Sequence, residues 1–129
     1  MDEPSVKITV SLGEEFKKAF NNFPKQDRVK IYDFIRHVQN EGFEGLKGRN
    51  ESSDNVDKND PYFKEKACYA IENKLYHYHI GIPHYKDSTK GDKTSEYVLH
   101  YILVSDTEIR IVDMDNHPPF RLPTQKYLK

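Results

Sequence analysis

Histidines, tyrosines and a scatter of basic side chains carry most of the chemistry this 129-residue chain can offer. Five of its six histidines, His77, His79, His84, His100 and His117, fall in or beside segments patterned as β-strands, and only His37 lies elsewhere. Side chains alternate along a strand, so His77 and His79 share one face with Leu75, while Tyr76, Tyr78, Ile80 and Ile82 share the other. An imidazole exchanges a proton near neutral pH and also ligates metals. Ile109, Ile111, Asp113, Asp115 and His117 have one parity, which puts two carboxylates and an imidazole at the end of an apolar strand. With His77-x-His79 they would make a nitrogen and oxygen ligand set for a transition ion, provided the two strand ends meet. The plainer alternative has each histidine as a hydrogen-bonded strand residue and Asp113 and Asp115 bonded to turn amides.

The basic groups suggest a different chemistry. Lys47 and Arg49 leave the second of two expected helices, Arg110 and Arg121 come late in the chain, and Lys86, Lys90 and Lys93 punctuate a long connection. A guanidinium offers phosphate a planar fork, and tyrosine and histidine rings stack on bases. Lys47, Arg49 and Arg121 beside an aromatic sheet would therefore suit RNA. No glycine-rich phosphate loop, nucleophile elbow or dinucleotide fingerprint is present.

These groups need a scaffold. Val6 to Val10 alternates as a strand, and Ser11-Leu12-Gly13 then turns into Glu14-Glu15, acids suited to a helix start. Phe16, Ala19, Phe20 and Phe23 recur at helical spacing until Pro24 breaks the run. A second helix from Lys25 carries Ile31, Phe34, Ile35 and Val38 and ends at Gly42, so the two helices should form a hairpin lying on an apolar sheet. The all-apolar strand face belongs under that hairpin, which leaves His77 and His79 on a face open to solvent or substrate. Residues 45–60 are polar and read as a long exposed loop. Ala67 to Glu72 reads as a short strand turning at Asn73-Lys74 into the aromatic strand Leu75 to Ile82. Tyr97 to Val104 is apolar enough for a central strand, and Glu108 to Met114 is the last. Pro118, Pro119 and Pro123 keep the tail extended.

Length bounds the answer to one domain over residues 1–129. Twenty basic against twenty-one acidic side chains give a net charge of −1. That balance excludes sequence-independent nucleic-acid binding over the whole surface and leaves room only for a local basic site. The single cysteine, Cys68, cannot pair within the chain and is expected as a small buried hydrophobe. One cysteine, and no apolar run near the roughly 20 residues that span a bilayer, fit a cytoplasmic protein without membrane attachment.

The order strand, helix, helix, consecutive antiparallel strands resembles the RelE/ParE superfamily of toxins from bacterial toxin-antitoxin pairs, over most of the chain. Leu75-Tyr76-His77-Tyr78-His79-Ile80, the apolar strand Tyr97 to Val104 and the ending Ile111-Val112-Asp113-Met114-Asp115-Asn116-His117 are most similar to the ribosome-dependent mRNA endonuclease branch, including YafO-like toxins. The resemblance implies an α+β fold, an N-terminal strand and a helical hairpin packed on an antiparallel sheet of four to five strands. It also implies cofactor-free and metal-free cleavage of mRNA on the ribosome, masked by a cognate antitoxin protein. On the matching positions His77 or His79 would be base or acid, and Arg49 and Arg121 phosphate clamps. Tyr85 or Tyr127 would stack or act as acid, and Lys47, His100 and His117 would contact RNA. Two alternatives stay open: a non-catalytic toxin of the ParE branch, which inhibits gyrase, and a metal-dependent enzyme built on the His and Asp cluster.

Overall fold

Phe16 and Phe20 point inward from a short amphipathic helix, and Ile31, Phe34 and Val38 form the buried stripe of a longer one. Both stripes need a sheet to cover. In the computed structural model, which describes residues 7–116 and 121–129, they find one. The chain runs β1 (Thr9–Leu12), α1 (Glu14–Phe20), α2 (Lys25–Glu41), β2 (Asn50–Ser52), α3 (Phe63–Glu72), β3 (Leu75–His79), β4 (Lys86–Asp87), β5 (Lys93–Thr94), β6 (Tyr97–Ser105) and β7 (Glu108–Asn116), and closes in a 3-10 turn at Gln125–Leu128. The architecture is α+β. Strand order in the five-stranded sheet is β1-β7-β6-β3-β2, and β4 and β5 form a separate ribbon. All neighbours in the large sheet are antiparallel except β1 and β7, which run parallel, so the sheet is mixed. No helix among the described residues is long and apolar enough to cross a membrane.

The helical hairpin lies where its spacing predicts. Phe16, Phe20 and Phe23 form a ring cluster with centroids 5.9 to 6.3 Å apart. Phe34 stacks on Tyr78 of β3 at 4.8 Å. Aromatic rings at these separations add to the area they bury. Tyr78, Ile80, Ile82, Leu99, Tyr101, Ile109 and Ile111 complete this main core, so the apolar face of β3 does lie under the hairpin.

Four expectations need correction. Ala67 to Glu72 is not a strand: Phe63, Ala67 and Ala70 recur at helical spacing and α3 runs through them. Cys68, on the outward side of α3, is exposed. Residues 45–60 are not wholly an exposed loop, because Asn50–Ser52 pairs with β3 as an edge strand and Ser53 and Val56 are buried. The second sheet face is not open either. There α3 and the closing turn bring Ala70 and Leu128 onto Leu75 and Val112, forming a smaller second core.

Candidate functional site

Register decides which side chains meet. Antiparallel pairing sets His77 opposite His100 on β6 and opposite Glu51 on β2. The His77 ring lies 5.7 Å from that of His79 and 6.2 Å from that of His100. The three expected strand histidines therefore do share one face. That face is closed: His77, His79 and His100 are 0%, 4% and 1% exposed. Their anticipated role as solvent-reachable acid, base or RNA contact is corrected, since the second core and the β2 segment pack on the side that was expected to be open.

Each of the paired imidazoles is held from behind. His77 Nδ1 lies 2.9 Å from Ser53 Oγ, and its Nε2 lies 3.3 Å from Glu51 Oε1. His79 Nδ1 lies 3.0 Å from both the carbonyl oxygen and the amide nitrogen of Ser95. Burial pushes the His79 pKa down, which favours its neutral ring. The hydrogen bond with His77 holds the Glu51 carboxyl at a pKa of about 2, against its own desolvation. Glu51 was not anticipated. Its only mark in the sequence is its place five residues before Val56 in a polar run, which reveals no pairing partner.

The two expected phosphate clamps have carboxylate partners within the chain. Arg49 donates to Asp92 through Nε at 2.7 Å and Nη2 at 2.8 Å, and reaches Ser88 Oγ at 3.2 Å. That fork pins β2 to the β4–β5 ribbon and drives the Asp92 pKa well below the usual carboxylate range. Arg121 donates to both carboxylate oxygens of Asp115 at 3.1 and 3.2 Å. Tyr127 sits in the closing turn, beside the start of α1, where the Glu14 amide donates to the Lys129 carbonyl. It does not line the open cavity between α2 and the Gly81–Tyr85 turn. His117 lies outside the described residues. Among the described residues the expected ligand set is not assembled as foreseen. Asp115 is engaged by Arg121, Asp113 accepts from the Met114 amide, and the carboxylate that meets His77 and His79 is Glu51.

Cationic side chains converge instead on the other side of the sheet. An open cavity of about 650 Å³ lies between α2, the start of the 45–60 segment and the Gly81–Tyr85 turn. Lys30, His37, Lys47, His84 and Lys93 line it, with Asp33 as the acidic exception and Tyr78 and Tyr85 as its aromatic floor. Tyr78 and Tyr85 share a hydroxyl hydrogen bond of 2.8 Å, and the Gly48 amide donates to the Tyr78 oxygen at 3.2 Å. Burial, then the bond with Tyr78, raises the Tyr85 pKa, so this phenol keeps its proton. Lys47 Nζ lies 5.0 Å over the Tyr85 ring, within cation–π range. Lys30 donates to the carbonyls of Gly81 and Pro83 at 2.6 and 2.9 Å and so braces the turn that carries His84. Of the expected residues, Lys47 and Tyr85 meet here. Lys30 and His37 were missed, although they flank Phe34 at helical spacing and mark the polar margin of the α2 stripe.

No family model matches the chain, and no similar curated protein or solved structure is found.

Proposed function

We propose that this protein is a toxin-type endoribonuclease, acting on mRNA at the ribosome without a metal, and that its working site is the cationic cavity rather than the buried histidines. The gathering of Lys47, Lys93, His84 and Tyr85 around one open hollow carries this reading. Cleavage through the 2′-hydroxyl needs a base for that proton, cations as charge builds on phosphorus, and a donor for the departing oxygen. His84, exposed beside the cavity, takes the proton as the 2′-oxygen attacks. Lys47 and Lys93 face the phosphate. Tyr78 accepts from Gly48; with Tyr78 donating in the hydroxyl pair, the Tyr85 O–H is left to give its proton to the leaving 5′-oxygen. The products are a 2′,3′-cyclic phosphate and a 5′-hydroxyl. A cognate antitoxin would act by covering this hollow.

Expression in a bacterial host tests the proposal. Wild type should arrest translation and leave mRNA ends bearing cyclic phosphate. His84→Ala should lose at least about a hundredfold of that cleavage, the lower end for one acid or base group. A host that translates a reporter unchanged overturns the reading. Growth arrest with intact mRNA moves the assignment to a non-catalytic binding toxin.

A further inference from the structure

We infer that Glu51, His77 and His79 form a site for one divalent transition ion of the zinc type, which fastens β2 and the segment before it to the sheet. One ligand atom from each of the three residues lies within 4.8 Å of the others. The placement follows from the fold: Glu51 and His77 are a cross-strand pair, and His79 is the next residue of β3 on the same face. Ligand bonds of 2.0 to 2.2 Å in a tetrahedral site put neighbouring ligand atoms about 3.4 Å apart. His77 Nε2 and Glu51 Oε1 already stand at 3.3 Å.

The surroundings have the form that metal-bound imidazoles require. A ligating histidine uses one ring nitrogen for the ion and donates from the other to an oxygen that fixes the ring. His77 Nδ1 has Ser53 Oγ in that place, and His79 Nδ1 has the Ser95 carbonyl, with the Ser95 amide at the same distance; in the tautomer whose Nδ1–H donates to these oxygens, Nε2 of both rings is the ligand atom. Glu51 supplies the one negative charge, and two imidazoles with one carboxylate match the softness of zinc better than that of magnesium or calcium. The nearby Arg49 charge is compensated by Asp92. The three ligands found among the described residues leave the fourth corner of a tetrahedral site to a further ligand. The site lies on the opposite sheet face from the cavity lining at Tyr78, so this inference stands or falls separately from the ribonuclease reading.

Calorimetric titration of the chelator-treated full chain with zinc chloride should give one ion per chain and a higher melting temperature. Cobalt(II) should develop the intense visible absorption of a tetrahedral complex and lose it when zinc is added. Glu51→Gln, a change at a partly exposed edge-strand position that keeps the side-chain shape, should weaken zinc at least tenfold and abolish the melting shift. His37→Gln should change neither. The inference is overturned by absence of stoichiometric zinc and cobalt binding in the wild type. It is equally overturned if Glu51→Gln binds as the wild type does, or if His37→Gln removes the signal.

Discussion

Two carboxylates on the second sheet face are pushed in opposite directions, and the sign of each effect is open to measurement. Burial raises the Asp113 pKa to about 6; the Asp115 charge adds to this, and the Met114 amide and Arg121 oppose it. Between the unfolded pKa near 3.8 and the folded value near 6 the native state holds the extra proton, so stability falls as pH rises through that window. Asp113→Asn, which keeps the acceptor for Met114, should therefore match wild type near pH 3.5 and exceed it at pH 7.5. The expected gain is about 1–2 kcal/mol. That is less than the roughly 3 kcal/mol two pKa units convert to, because the group is only partly buried. Glu51 runs the other way. Its folded pKa near 2 makes its contribution complete above about pH 4.5 and lost as pH falls toward 2. Urea midpoints across pH 3 to 8 read both, and an Asp113→Asn curve parallel to wild type would refute the first.

At the scale of elements, the junction of the 45–60 segment with β3 is the tightest backbone approach beside the cavity. A Cβ on Gly48 would lie 1.9 Å from the His79 carbonyl oxygen and 2.8 Å from the Tyr85 ring. Gly48→Ala must push the segment off β3, and overpacking of this kind costs about 2–3 kcal/mol. Faster amide exchange at Ser53, whose N–H donates to the Leu75 carbonyl, should report the loosened β2, and RNA cleavage should fall with it. Unchanged exchange at Ser53 would show that the segment is not anchored there. Element patterns also explain what was legible beforehand. The phenylalanine spacing, Pro24 and Gly42 define the hairpin locally, and strand parity assigns Tyr78 and His77 to opposite faces. Ala67 to Glu72 misleads because Tyr69 and Ile71 favour strands, whereas the stripe that decides for helix, Phe63, Ala67 and Ala70, is small and reaches further back. With residues 67–72 taken as a strand, the second face loses the cover of α3 and its histidines look accessible. The pairing of Glu51 with His77 and of Arg49 with Asp92 depends on contacts between residues far apart in the chain, which no local pattern encodes.

For the molecule as a whole, the near-zero net charge and the cationic hollow fit together. A protein that gripped RNA over its entire surface would need an excess of lysine and arginine, whereas this one pairs several of its cations internally: Arg49 with Asp92, Lys66 with Asp60, Lys93 with Asp87 and Arg121 with Asp115. Binding through the hollow then engages few phosphates, and the salt dependence of affinity counts them. Each phosphate contact on a single strand contributes about −0.7 to the slope of log affinity against log salt, so the three cavity lysines, Lys30, Lys47 and Lys93, set a limit of about −2, reached only if Lys93 exchanges Asp87 and Lys30 its carbonyl partners for phosphate. Lys47→Ala should flatten it by roughly 0.7 while reducing affinity similarly for unrelated sequences, as expected of a backbone contact. Fluorescence anisotropy with a short single-stranded RNA between 50 and 300 mM salt makes the measurement. A wild-type slope steeper than about −4 would require an extended basic track that the charge distribution does not supply, and a slope of zero would remove RNA from the hollow altogether.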